Sequence, residues 1–263
     1  MHERLLDQAV RAARKAGRVI LEHYRQREAI GPKSDGSPLA KADLAAHGTI
    51  CTELEPTGIP IVSEEGEDLR LEAARYWLID PLDGTKEFLA GNDEFTVNIA
   101  LIEGRRPVLG VVLAPALDEL YAGGPDTGTW AERHGAPRSA CTPRERSETC
   151  RMAISRFHNH PDAEGFAITN RVGLRLEIGS ALKFGRLAAA EVDVYPRFAG
   201  SSEWDIAAGQ AVLEGAGGAV LDWNSGRALE YGKPRQRNPR LLALRSPYTR
   251  AEFECHPYAQ EIP

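Results

Sequence analysis

The stretch Tyr76-Trp77-Leu78-Ile79-Asp80-Pro81-Leu82-Asp83-Gly84-Thr85-Lys86-Glu87-Phe88 decides how this chain is read. Tyr76 to Ile79 is an apolar run of strand length, and it stops at an acid, a proline and a glycine that force the chain to turn. Asp80 and Asp83 are therefore presented at a strand end. Acids held so close repel unless a cation sits between them, and hard oxygen ligands of this kind suit Mg²⁺, Mn²⁺ or Ca²⁺ rather than zinc. Gly84 lets the backbone approach a ligand closely, and Thr85 adds a hydroxyl beside the metal, an arrangement suited to an anionic group such as a phosphate. An ordinary Asp-Pro-x-Asp-Gly surface turn competes with this reading, since these are the commonest turn residues.

On the N-terminal side, Leu5, Ala9, Ala13, Ile20 and Tyr24 recur at helical spacing, which predicts an amphipathic packing helix over about Glu3 to Arg27. Residues 31–38 read as a loop by composition, long enough to be a flap. A second helix is expected from about Leu39 to Leu54, ending before Pro56, with Asp43 in its first turns; an acid there can simply complement the helix dipole. Ile59 to Val62 reads as a strand that delivers Ser63-Glu64-Glu65-Gly66 at its end. Two adjacent loop acids are ordinarily solvated, but one that follows a buried strand can face the same crevice as Asp80.

On the C-terminal side, Phe95 to Ile102 and Val108 to Leu113 flank a turn and predict an antiparallel hairpin, with further strands at Leu120 to Ala122 and Thr129 to Ala131. The polar segment Ala140 to Thr149 is the candidate boundary between two subdomains, 1–145 and 146–263. Met152 to Ser155 resumes an apolar strand and leads into His158 and His160, which lack partners at zinc-ligand spacing, so substrate contact is the expected role there. Gly179 and Ser180 open a helix expected to run to about Glu191; they could cap it or offer amides to an anion, and Lys183 follows one turn in. Val192 to Phe198 reads as a strand, and Asp205 stands where the next helix begins, an ordinary capping position. Closing strands are expected at Ala219 to Leu221 and Leu241 to Leu244, and 246–263 reads as a surface tail.

The chain has 263 residues, of which 42% are hydrophobic and 27% charged, ordinary values for a globular protein with a sizeable core. Its net charge of -6 gives no reason to expect a nucleic-acid polymer or an anionic membrane as partner. An acidic protein handling a phosphorylated substrate needs local neutralisation, which bound metal supplies. The charged N-terminus does not read as a signal peptide, no segment reaches membrane-spanning length, and a cytoplasmic enzyme is the expectation, with a peripheral place at the inner membrane as the alternative. Cys51, Cys141, Cys150 and Cys255 have neither zinc-site spacing nor the density of a disulfide framework, and are expected to be free thiols.

A rival phosphatase motif, D-x-D-G-T with an aspartate nucleophile, has its acids two positions apart, whereas Asp80 and Asp83 are three apart. D-P-L-D-G-T-K-E-F, together with Ser63-Glu64-Glu65 and Trp204-Asp205, instead resembles the lithium-sensitive, magnesium-dependent phosphatases of the inositol monophosphatase superfamily. Within it the chain looks most like the 3'(2'),5'-bisphosphate nucleotidases. The similarity runs from about Leu5 to about Arg240. The resemblance implies an α/β fold, the layered αβαβα sandwich, with the metal site in the cleft between subdomains. It implies two or more Mg²⁺ ions, one held by Glu64, Asp80 and the Leu82 carbonyl and one by Asp80, Asp83 and Asp205. It pairs the hydroxyl of Thr85 with Asp43 to activate water, and it places Ser155, His158, Gly179 and Lys183 in the nucleotide pocket. Gly84 and Thr85 amides are candidates to hold the phosphate.

The expected substrate is a small phosphorylated nucleotide, 3'-phosphoadenosine 5'-phosphate or its 5'-phosphosulfate analogue. Inositol monophosphatase and fructose bisphosphatase activities remain alternatives with the same metal chemistry, and a non-enzymatic protein on a phosphatase fold is the contrasting class. Oligomeric state stays open, a homodimer included.

Overall fold

In the computed structural model, which describes residues 1–26, 29–32, 38–66, 73–157 and 160–255, the apolar run of the central motif becomes an inner strand of a seven-stranded sheet. Helix α1 (His2–Gln26) is followed by a small ribbon, β1 (Ala29–Pro32) and β2 (Pro38–Ala40), and by α2 (Lys41–Leu54). The sheet then takes β3 (Ile61–Ser63), β4 (Arg75–Asp83), β5 (Thr96–Glu103), β6 (Arg106–Ala114), β7 (Glu119–Gly124), β8 (Gly128–Arg133) and β9 (Ser139–Cys141) in chain order, with the short helix α3 (Thr85–Ala90) between β4 and β5. Only β3 and β4 run parallel in it; every other neighbour is antiparallel. The expected loop at 31–38 falls largely on 33–37, which lie outside the described residues, as do His158 and 256–263.

The second half builds β10 (Arg151–Ser155), α4 (Asp162–Thr169), β11 (Leu174–Ile178), α5 (Leu182–Ala188), β12 (Val194–Arg197), β13 (Ser201–Ser202), α6 (Trp204–Gly215), β14 (Ala219–Asp222), β15 (Arg237–Asn238) and β16 (Leu241–Leu244). Five of these strands form a mixed sheet in the order β11-β10-β12-β16-β14. Three apolar clusters explain how the layers stack. Leu6, Ala9, Ala13 and Ile20 of α1 and Ala46 and Ile50 of α2 bury against Trp77, Ile79 and Val111 on one face of the large sheet. Tyr76, Leu78 and Val112 on its other face meet Phe184 and Leu187 of α5 and Ile206, Ala207 and Val212 of α6, which also cover Ala153, Tyr195 and Ala243 of the second sheet. Phe166 of α4 closes the outside with Phe198 and Leu242. Period-two alternation along β4 thus feeds two cores, and the stack is αβαβα, as expected.

Three expectations are corrected. The strand of the central motif does not stop at Ile79 but continues as β4 to Asp83 across an irregularity: Asp80 lies opposite Asn98 and Asp83 opposite Thr96, so one strand spends three steps where its partner spends two. That is a β-bulge, and Pro81, which cannot donate to a ladder, sits inside it. Helix α5 ends at Ala188, short of Glu191, and Ala190 turns the chain away in the left-handed region at φ 58°. The segment after Ser246 is no loose surface tail up to its last described residues. Phe253 is buried, and its ring stacks on Phe166 of α4 at 5.9 Å. No helix among the described residues is long and apolar enough to cross a membrane.

Candidate active site

The parallel pair β3 and β4 ends in acids. Ser63 is in register with Ile79, and the Glu64 amide donates to the Ile79 carbonyl at 3.2 Å, so Glu64 and Asp80 leave adjacent strand ends together. Side chains three apart on a regular strand point to opposite faces, but the extra residue of the bulge returns Asp83 to the side of Asp80. Asp80 is buried, and its Oδ1 accepts the Leu82 amide at 3.2 Å. Asp83 Oδ2 accepts the Ala181 amide at 2.5 Å and the Asn98 side-chain amide at 3.3 Å. Gly84 follows in the left-handed region at φ 90°, where a Cβ would lie 3.1 Å from Glu87 Oε2, and Thr85 begins α3. Asp205 comes from the opposite half, in the first turn of α6, and its Oδ2 accepts the Ser202 amide at 3.0 Å.

Electrostatics join these acids into one group. Burial first, then the charges of Glu64, Asp83, Asp205 and Asp43, push the Asp80 carboxyl well above the usual range. Burial also pushes Asp205 up to about 6; Asp83 adds to this, while Arg197, the Ser202 amide and Arg237 oppose it. Among the described residues no three His, Cys, Asp or Glu side chains close into a ready-made metal cage. The donors nevertheless fit a hard divalent cation: they are carboxylates at strand ends, they converge from both halves of the chain, and their mutual repulsion is what such a cation relieves.

A cleft of about 290 Å³ opens beside this group. Glu64, Asp83, Gly84, Thr85 and Asp205 line it, and Ser155 and Lys183 line it as well. Lys183 is not the solvated helical lysine that its position in α5 alone suggests: it is buried, donates to the Ile178 carbonyl at 2.9 Å and lies 5.2 Å from the centroid of the Tyr195 ring. Gly179 corrects an expectation. Its amide is not offered to an anion, because it donates to Glu94 Oε2 at 2.9 Å, and the lining residue is its neighbour Ser180. Asp43 is fully buried in the first turn of α2 and its charge reaches Asp80, but among the described residues the Thr85 hydroxyl forms no hydrogen bond to it.

Sequence reasoning missed two cations in the cleft wall, Arg197 and Arg237. Arg197 Nη2 stands 3.7 Å from Asp205 Oδ2, and its Nη1 donates to the Tyr195 hydroxyl at 3.3 Å. An arginine inside the apolar strand Val194-Tyr195-Pro196-Arg197-Phe198 was the available signal. Arg237 has no such signal; β15 brings it to the cleft by pairing with β13, and its Nη1 donates to Ser202 Oγ at 3.4 Å.

Paired strand ends carrying clustered acids, in a five-layered αβαβα stack, define a metal-dependent phosphatase, and the chain belongs to the inositol monophosphatase family, whose profile matches residues 1–253. Over 241 residues it is 41% identical to the 3'(2'),5'-bisphosphate nucleotidase CysQ of Escherichia coli O6:H1 (strain CFT073), covering 88% of this chain and 95% of that protein. The crystal structure of CysQ from Bacteroides thetaiotaomicron, a bacterial member of the family, matches with a TM-score of 0.81 at 33% identity, over 92% of this chain and 97% of that one. Inositol monophosphatase from Anabaena (Nostoc) sp. PCC 7120 matches with a TM-score of 0.73 at 26% identity, over 92% and 90% of the two chains.

Proposed function

We infer that the chain is a Mg²⁺-dependent 3'(2'),5'-bisphosphate nucleotidase, removing the 3'-phosphate of 3'-phosphoadenosine 5'-phosphate to give adenosine 5'-phosphate and phosphate. The observation that supports this best is the composition of the cleft. A cluster of acids suited to cations faces a wall bearing Lys183, Arg197 and Arg237, so one side suits the reacting phosphate with its metal and the other a second anionic group. Identity of 41% to a bisphosphate nucleotidase across most of both chains points the same way.

Glu64, Asp80, the Leu82 carbonyl, Asp83 and Asp205 would hold two or more ions. When bound, such ions supply positive charge that lowers the pKa of a water and stabilises the leaving alkoxide. The protein's own groups do the rest. Thr85, which lines the cleft, orients the attacking water and passes its proton toward Asp43; this requires the two to approach in the loaded site, as catalytic hydrogen bonds commonly do. The amides of Gly84 and Thr85 hold phosphate oxygens. Ser155 and Lys183 face the remainder of the nucleotide, and Tyr195 beside Lys183 offers an aromatic face.

Phosphate release with Mg²⁺ across 3'-phosphoadenosine 5'-phosphate, its 5'-phosphosulfate analogue, inositol 1-phosphate and fructose 1,6-bisphosphate tests the reading. Highest kcat/KM on the bisphosphate nucleotides, abolished by chelator and inhibited by Li⁺, is expected. Preference for inositol 1-phosphate would assign the chain to the inositol monophosphatase alternative.

A further inference from the structure

Glu94 lies on the loop between α3 and β5, outside the acid cluster, and meets the chain neighbours of two cleft-lining residues, Ser155 and Ser180. Three hydrogen bonds reach its carboxylate from the second half of the chain. Arg156 donates twice, Nε to Oε2 at 3.0 Å and Nη2 to Oε1 at 3.1 Å, the forked geometry that fixes both partners in orientation. The Gly179 amide donates to Oε2 at 2.9 Å. Arg156 is steadied in turn by Glu177, through Nη1 to Oε2 and Nη2 to the backbone carbonyl, both at 3.1 Å.

The loop bearing Glu94 is itself anchored. Its neighbour Asp93, in the left-handed region at φ 67°, exchanges hydrogen bonds with the Tyr24 hydroxyl of α1 at 2.6 and 3.2 Å. On the other side Phe95 is buried, with its ring centroid 4.7 Å from Tyr24 and 5.3 Å from Phe88. Gly179 is a glycine for the same reason: a Cβ there would stand 2.6 Å from Glu87 Cγ and 2.8 Å from the Glu94 carbonyl oxygen.

Arg156 directly follows Ser155 and Gly179 directly precedes Ser180, and both serines line the cleft. A single carboxylate on the side of the large sheet therefore sets where two hydroxyls of the facing wall stand. We propose that Glu94 and Arg156 form a positioning pair that latches the Ser155 and Ser180 segments beside the cleft and so governs affinity for the part of the substrate beyond the reacting phosphate. The proposal rests on the nucleotidase reading for its substrate and adds to it residues that touch neither metal nor phosphate. Both side chains are partly exposed, 18% for Glu94 and 32% for Arg156, so the pair contributes little to stability. Its effect falls on placement.

The test is steady-state kinetics of the full chain with 3'-phosphoadenosine 5'-phosphate, together with calorimetric binding of the product adenosine 5'-phosphate, for Glu94→Gln, Arg156→Ala and the double variant. KM and the product Kd should rise about tenfold, the scale of one charge-assisted contact, with kcat, the Mg²⁺ half-saturation and the Tm little changed. The double variant should be no worse than either single one, because the pair acts as a unit. A fall in kcat at unchanged KM, additive losses, or wild-type KM in both single variants would overturn the latch. Should Glu94→Gln fail to fold, Arg156→Lys keeps the charge without the fork and must still show the rise in KM. Failure of the nucleotidase reading shows separately, as absence of turnover in the wild type; the same split between KM and kcat is then read on whichever ester of the panel the wild type hydrolyses.

Discussion

Asp80 is buried beside the cleft, and burial together with the charges of Glu64, Asp83, Asp205 and Asp43 holds its carboxyl well above the usual range. Two consequences of opposite sign follow from exchanging one of its carboxylate oxygens for an amide nitrogen. Asp80→Asn should lower kcat/KM by roughly a thousandfold or more, since several kcal/mol of transition-state stabilisation depend on the cations it would help hold, yet raise the Tm of the metal-free protein by relieving repulsion. Steady-state kinetics and a melting curve in chelator check both, and near-normal activity would remove Asp80 from the metal set. A second prediction concerns the proton path: if Thr85 and Asp43 serve one relay, Asp43→Ala combined with Thr85→Ala should lower kcat little more than either alone. Additive losses would separate their roles. Glu64 and Asp80 could be read from sequence because each follows an apolar run, a one-dimensional signal, whereas Asp43 and Asp205 stand at ordinary helix starts and entered through the resemblance. Glu94 and Arg156 could not, since they are 62 positions apart and each alone resembles an ordinary surface charge.

Elements rather than residues decide whether those acids converge. The sequence placed a turn after Ile79, and the structure has instead a bulged strand, a difference invisible to pattern because Asp-Pro suits both and only pairing with Asn98 and Thr96 selects the bulge. Helix α6 brings Asp205 to the site by lying almost on the backbone of β6: a Cβ on Gly110 would fall 2.2 Å from the Ala208 carbonyl oxygen. Gly110→Ala should therefore force α6 off the sheet, costing about 1–3 kcal/mol, and should lower kcat/KM as Asp205 moves with it. Gly48 is the contrast, exposed on α2 with nothing within 4 Å of an added Cβ. Gly48→Ala should stabilise by about 0.5–1 kcal/mol at unchanged activity. Denaturant melts of the two variants check this pair, and equal effects would mean that the α6 contact yields more easily than its geometry implies. The glycines themselves were visible in the sequence, but which one admits a neighbouring backbone depends on layers that meet only in the fold.

At the scale of the whole molecule, the αβαβα order was legible through the resemblance and through alternating apolar strands, while the attachments between layers were not. Asp193 is one of these: fully buried, it accepts from Arg151 and Arg245 and from the Ser147 hydroxyl, tying the segment before β10 to β16. Burial opposes ionisation there, but those donors outweigh it and hold the carboxyl below its usual range, so its contribution is present above the unfolded value near 3.8 and is lost as pH falls through the lower folded value. The acid cluster has the opposite sign. Asp80 and Asp205 bind protons more tightly in the folded chain, Asp205 with a value of about 6, so stability of the metal-free protein should fall as pH rises from near 4 through 6. Divalent cations held by these acids would compete with those protons and, binding only the folded site, would add about 2.7 kcal/mol when present at a hundred times their Kd. The rise in Tm on replacing chelator with Mg²⁺ should therefore be small at pH 5 and large at pH 7.5. The contribution from Asp193 cancels in this difference, because it is common to both samples. In Asp205→Asn the rise should shrink at pH 7.5 and lose most of its pH dependence, whereas an equal rise at both pH values in the unaltered chain would mean that the cation binds away from the acids at the ends of β3 and β4.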